Sequence, residues 1–185
     1  MSDEYSISVR IPKERIGVLI GKDGAVKKSI EEAGECLLEI DSSEGDVLIT
    51  QRGDPIEVNI TGEVVRAIGR GFNPDRAYNL FNDGFQLVVL PLRDVARKGS
   101  NRINEIKGRI IGREGKTRKI IEDITDTMIS VYGDTVSLIG DYISMKYALQ
   151  AVEMLIEGRK QRTVYSFLES KVGDLKMERL NETFR

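Results

Sequence analysis

Apolar and polar residues alternate through "YSISVRI", residues 5–11, with β-branched side chains at every second place, so the pattern predicts a strand. Pro12 follows, a residue suited to the first turn of a helix, and "KERIGVLI" predicts a short helix over 13–20. Gly21 and Gly24 interrupt it. Beyond them Val26, Ile30 and Ala33 recur at spacings of four and three, the stripe of a second helix with one buried face. "CLLEI" and "DVLIT" flank the turn-forming "DSSEG", which predicts a hairpin. Asp54 then stands as an N-cap with Pro55 at the first helical position, ahead of a third helical pattern. The order over residues 1–72 is β-α-α-β-β-α.

After a predicted connecting helix and turn at 73–84, the apolar "FQLVVLPL" opens a second unit, 85–158. A basic stretch, "RDVARKGSNR", intervenes before its helix pair and has no counterpart in the first unit. The second helix of that pair places Thr117, Ile121 and Ile124 where the first unit has Val26, Ile30 and Ala33, so the same face is expected to be buried. The tail, 159–185, predicts one more helix whose stripe of Val164, Phe167, Leu168, Val172 and Leu175 packs into the core.

The two units are copies. "GVLIGKDGAVKKSIE" from residue 17 recurs 91 positions on as "GRIIGREGKTRKIIE", with seven of fifteen residues identical. Gly17, Ile20, Gly21, Gly24, Lys28, Ile30 and Glu31 match Gly108, Ile111, Gly112, Gly115, Lys119, Ile121 and Glu122. The match fades into "CLLEID" against "TMISVY", where the apolar places still coincide. The expected class is therefore α+β, with two tandem three-stranded sheets, each covered by three helices, and an added C-terminal helix.

Composition narrows the chemistry. With no histidine and the single cysteine Cys36, zinc sites of Cys and His, histidine bases and Ser-His-Asp triads are excluded, and no internal disulfide can form. No pair of carboxylates is singled out, so neither a catalytic centre nor a metal or cofactor site is predicted. No apolar run approaches the length of a membrane span and no leader is evident, which predicts a cytoplasmic chain with no membrane partner. A net charge of −2 hides two basic islands. Arg10, Lys13, Arg15, Lys22, Lys27 and Lys28 form one, and Lys107, Arg109, Arg113, Lys116, Arg118 and Lys119 the other. Residues 29–63 are strongly acidic between them.

The islands coincide with the paired glycines. Two glycines allow a sharp turn and remove the side chains that would hold a ligand off the backbone, so main-chain N–H groups can approach a phosphate. The following helix points its positive end at the same spot. Lys22 or Arg113 between the glycines, with Lys27, Lys28, Lys116, Arg118 and Lys119 beyond, adds cations along a strand of phosphates. A nucleotide P-loop does not fit: "GKT" occurs at 115–117, but Ile110 holds the place of the required first glycine. A dinucleotide fingerprint fails too, because "GRGFNP" at 69–74 ends in proline.

"IGVLIGKDG" and "GRIIGREGKTRKIIE" resemble the signature of KH RNA-binding domains, and the element order matches their type I arrangement. The resemblance implies that each loop clamps about four nucleotides of single-stranded RNA, whose bases lie between the helix pair and the second strand. Carried over, Gly21, Lys22, Asp23 and Gly24, with Gly112, Arg113, Glu114 and Gly115, would contact the backbone. Ile20, Leu38, Ile111 and Ile129 would floor the groove or join the core, and for Ile30 and Ile121 the core is expected. Unit spacing, "IKGRIIGREGKTRKIIE", "GDTVSLIGD" and "VYSFLESK" together resemble an archaeal two-KH ribosome-assembly factor related to the eukaryotic partner-of-Nob-one protein. That family implies small-subunit (16S) ribosomal RNA near its 3′ end as ligand, alongside a Nob-one-type endonuclease and other assembly or translation proteins. Its eukaryotic members have a degenerate first loop, whereas "GKDG" is intact here, which extends the expectation of RNA contact to both units. Binding to messenger RNA or to an RNA-degradation machine, and a protein-interaction scaffold, are the alternatives.

Overall fold

Ser6–Arg10 forms β1, and Pro12 sits one place outside the helix that follows it, with an extended ψ of 137°, closing the strand and starting α1, Lys13–Ile20. A tight 3-10 turn at Lys22–Gly24 leads into α2, Ala25–Ala33. The hairpin follows as β2, Cys36–Asp41, and β3, Asp46–Gln51, and then α3, Pro55–Gly69. Asp54 caps α3 as its sequence indicates, accepting from the Ile56 N–H at 2.8 Å. The sheet order is β1-β3-β2, antiparallel throughout, with Ile49 opposite both Ile7 and Leu38. Leu38, Val47 and Ile49 are fully buried on the face that meets the helices.

The computed structural model describes residues 5–95 and 100–184, and the chain divides into two compact units, 1–87 and 88–185. The stretch 73–84 belongs structurally to the first unit. It forms α4, Pro74–Ala77, and a 3-10 turn, Tyr78–Phe81, that packs against α3 and buries Leu80. On α2 the expectation for Ala33 is overturned, since it is exposed, and the neighbouring Gly34 turns inward instead. Gly34 is the C-cap of α2, and a Cβ there would press on the Thr61 side chain of α3, so only glycine lets the two helices approach.

The second unit repeats the plan as β4, Phe85–Pro91; a short α5, Leu92–Val95; α6, Ser100–Ile111; and a 3-10 turn, Arg113–Gly115. It continues with α7, Lys116–Thr125; β5, Met128–Tyr132; β6, Thr135–Asp141; and α8, Tyr142–Ile156. Its sheet order is β4-β6-β5. Leu92, expected to end the strand, starts α5 and is fully buried. The basic stretch 93–102 is described at its two ends, as α5 and the start of α6, while 96–99 lie outside the described residues.

The tail is α9, Gln161–Thr183, packed on α7 and α8. Val164, Leu168 and Leu175 are buried and Phe167 and Val172 half-buried, the stripe expected from the sequence. Its far end is tied to α8 by polar contacts: Arg179 Nη2 donates to Ser144 Oγ at 2.6 Å, and the Tyr147 hydroxyl donates to Glu178 Oε1 at 2.7 Å. Asp141 caps α8 by accepting from the Ser144 N–H at 2.9 Å. Burial works to raise the Asp141 carboxyl, but the Ser144 hydrogen bonds and the Arg179 charge outweigh it and hold the group below the ordinary carboxylate range. No helix among the described residues is long and apolar enough to cross a membrane.

Candidate nucleic-acid interface

α1 and α6 both end on a glycine with φ near 70° and ψ near 180°, at 72° and 178° for Gly21 and 73° and 175° for Gly112. That region is open essentially to glycine alone. A Cβ on Gly21 would stand 2.9 Å from the Val26 N, and one on Gly112 would stand 2.8 Å from the Thr117 N. Asp23 and Glu114 follow in the left-handed region, both at φ 53°, and Gly24 and Gly115 close the turn at φ 76° and 75°. One loop conformation is thus built twice to within a few degrees, from GKDG and from GREG.

Both corners are open on their outer side. A Cβ on Gly24 would meet nothing within 4 Å, and one on Gly115 would meet only Arg118 Nη2, at 3.9 Å. Lys22, Asp23, Arg113 and Glu114 are exposed. The Asp and Glu fill a left-handed position at which a non-glycine backbone costs about 1 kcal/mol, a strain the surrounding turn must hold.

The basic islands divide on folding. Arg10 pairs with Glu44 at 3.0 Å and Asp46 at 3.6 Å, and Arg15 donates to the carbonyls of Ile68 and Phe72 at 2.8 and 2.7 Å, closing the C-terminus of α3. Neither belongs to the loop. Lys27 leans on Glu31 at 4.0 Å and Lys28 on Glu32 at 3.9 Å, and Arg109 pairs with Glu105. Among the described residues, Lys22, Arg113, Lys116 and Lys119 have no ion-pair partner, and all four are exposed. The second loop therefore carries three such cations and the first carries one. Arg118 is half-buried, with its Nε enclosed and without a hydrogen-bond partner.

β2 and β5 are edge strands, each bordering its helix pair. Glu31 on α2 accepts from the Leu38 N–H at 2.8 Å, and Glu122 on α7 accepts from the Ile129 N–H at 2.7 Å. The repeat alignment flags both glutamates as identical, but their role needs the fold: a carboxylate on the second helix takes up an edge-strand amide and fixes the helix against the strand. Ile20 and Ile111 are half-buried at the helix ends beside the loops. Leu38 and Ile129, at 0 and 1 % exposure, are core rather than floor, as are Ile30 and Ile121. Cys36 also lies inside, where burial pushes its thiol up and makes it a structural residue.

Two units with this strand order, with glycine loops joining α1 to α2 and α6 to α7, define a tandem type I KH protein. Residues 87–172 match the family model described as a eukaryotic type KH-domain (KH-domain type I), and residues 6–69 match the KH domain model. The KH domain-containing protein MJ0443 of Methanocaldococcus jannaschii is 44% identical over 183 residues, covering 97% of this chain and 80% of that protein. A chain of the a/eIF2alpha–aDim2p–rRNA complex from Pyrococcus horikoshii OT3 superposes with a TM-score of 0.87 at 42% identity, covering 94% of this chain and 97% of that one. The pre-rRNA-processing protein PNO1 of Eremothecium gossypii is 27% identical over 124 residues, 66% of this chain and 46% of that protein, so the match spans about half of the eukaryotic relative. The chain belongs to the archaeal two-KH-domain family of MJ0443 and Dim2p, related to PNO1, and is an RNA-binding KH protein.

Proposed function

We propose that this protein clamps single-stranded RNA through both glycine loops, and that its ligand is the small-subunit (16S) ribosomal RNA near its 3′ end during ribosome assembly. The observation that carries the reading is the loop pair itself: one open backbone conformation formed twice, flanked by the exposed cations Lys22, Arg113, Lys116 and Lys119. Phosphates approach the glycine corner, where the N-terminus of α2 or α7 adds its positive dipole. Lys27, Lys28, Arg109, Arg118 and the loop cations follow the backbone beyond it. Bases lie toward Ile20 and β2 or toward Ile111 and β5, and the acidic remainder of the first unit disfavours polyanions elsewhere.

The second loop holds RNA more tightly than the first, because more of its cations are unpaired. The ligand assignment draws on two relatives: PNO1 is a pre-rRNA-processing protein, and the Pyrococcus complex holds rRNA together with a/eIF2alpha and aDim2p. A Nob-one-type endonuclease and translation proteins are the protein partners this role calls for, and the chain acts as a cytoplasmic binding protein rather than an enzyme. Crosslinking in cells followed by sequencing of the bound RNA tests the reading. Recovery of reads concentrated near the small-subunit 3′ end is expected; reads spread over messenger RNA would move the protein to another RNA pathway.

A further inference from the structure

Val26 and Thr117 are equivalent residues in the repeat, and each is wedged beneath the first glycine of its loop. The nearest neighbours of a Cβ on Gly21 are all atoms of Val26, and those of a Cβ on Gly112 are all atoms of Thr117. The wedge is therefore what the loop rests on.

Each wedge is held from outside the repeat by a tyrosine hydroxyl. Tyr78 Oη donates to the Val26 carbonyl oxygen at 3.4 Å, and Tyr165 Oη shares a hydrogen bond with Thr117 Oγ1 at 2.7 Å. The two tyrosines are not copies of each other, since the residue 91 places beyond Tyr78 is Glu169. Tyr78 opens the 3-10 turn that follows α4, and Tyr165 lies in the second turn of α9. Two unrelated elements, one between the repeats and one after them, thus reach equivalent residues beside the two loops, Tyr78 on the backbone of Val26 and Tyr165 on the side chain of Thr117. Packing alone does not require that convergence. Both hydroxyls belong to half-buried side chains, and Thr117 itself is 1 % exposed, so the Thr117–Tyr165 bond forms where water competes little.

We propose that Tyr78 and Tyr165 are positioning residues: each fixes the wedge under its glycine loop and so holds that loop in the conformation that grips phosphate. For the second unit this makes α9 a working part of the RNA site, not only a cover for the core. The effect on RNA rests on the clamp reading above. The brace is tighter in the second unit, where the bond is shorter and joins two side chains, so Tyr165 carries more than Tyr78.

The test uses the full chain with two readouts: anisotropy of a fluorescein-labelled twelve-nucleotide oligouridylate, and amide hydrogen exchange resolved over 112–116 and over β5 and β6. Tyr165→Phe is expected to weaken binding about three- to tenfold, the loss of one hydrogen bond, and to speed exchange at the loop while leaving the strands unchanged. Thr117→Val should do the same, the double variant should lose no more than the larger single, and Thr117→Ser, which keeps the hydroxyl, should stay near the parent. Unchanged loop exchange in Tyr165→Phe, additive losses in the double variant, or exchange that rises equally through the strands would each overturn the brace. If the parent protein itself fails to retain the oligouridylate, the clamp reading falls, and loop exchange in Tyr165→Phe still decides the brace on its own.

Discussion

Glu122 turns a carboxylate oxygen onto the backbone N–H of Ile129 at 2.7 Å, joining the second helix of the pair to the edge strand β5. Glu31 and Leu38 repeat the contact at 2.8 Å in the first unit. An edge strand presents unpaired backbone groups, and a charged acceptor on one of them both satisfies the amide and sets the spacing of helix and strand. The spacing of the second helix and the edge strand is thereby set in each unit by the same contact, and this glutamate is identical in the two copies when much of α2 and α7 is not.

Glu122→Ala should therefore cost about 1.5–3 kcal/mol, the range for a hydrogen bond to a charged group, measured as a lower urea midpoint. Glu122→Gln keeps an acceptor oxygen at the same place and should lose less than half of that. Equal losses for the two variants would show that the charge, not the acceptor geometry, matters.

The two glycines of each loop are not equivalent. Gly115→Ala puts a methyl into open space and meets only the left-handed φ of 75°, so a loss of about 1 kcal/mol is expected. Gly112→Ala drives the methyl against the Thr117 side chain and backbone at a conformation closed to alanine, and should cost about 3 kcal/mol or open the loop. Thermal unfolding of the two variants side by side checks the order; a smaller loss for Gly112→Ala would mean the corner relaxes freely.

Much of this was legible in the chain. The alternation around Ile7 and Val9, the Asp54-Pro55 start of α3 and the stripe on α9 each reflect a local rule, and local rules survive folding. Glycines at a corner also announce themselves, since no other residue takes φ 72° with ψ 178°. What escaped depends on partners distant in sequence. Arg15 belongs to a basic island in the sequence, but in the fold it closes the end of α3, 53 residues away at Ile68. Ala33 followed the helical period yet lies outside, because the approach of α3 at Thr61 favours Gly34. Tyr78 and Tyr165 lie outside the repeat, so no alignment of the copies could pair them.

Salt dependence separates phosphate clamping from any other mode of RNA contact. If each loop neutralises about two or three phosphates, the slope of log K against log salt should be about −3 to −4, at roughly −0.7 per phosphate on a single strand. Arg113→Glu, which leaves two acids between Gly112 and Gly115, should weaken binding about tenfold and make the slope shallower by about 0.7 to 1.4. Lys22→Glu should do less, since the first loop carries fewer unpaired cations. A slope near zero for the parent protein would rule out backbone recognition.

The contacts between the start of α8 and the far end of α9 give the protein an acid limit. The Asp141 carboxyl is held below its ordinary value by the Ser144 hydrogen bonds and Arg179, which overcome the opposing effect of burial, and Glu178 is held down by the Tyr147 hydroxyl and then Lys146. A group whose pKa is lower folded than unfolded adds stability above the unfolded value, about 3.9 for Asp, and that contribution fades as pH falls through the folded value. Stability should thus hold down to about pH 5 and decline more steeply below about pH 4. Asp141→Asn keeps an acceptor for the Ser144 N–H but has no charge to lose, so the variant should start less stable at neutral pH and show a flatter acid decline. Urea unfolding from about pH 7 to about pH 3 reads both quantities. Because α9 carries Tyr165, the same acid decline should also loosen the second loop, and exchange at Gly112 and Gly115 should rise before the β5–β6 strands open. Simultaneous opening of loop and strands would mean that α9 leaves only when the whole second unit unfolds.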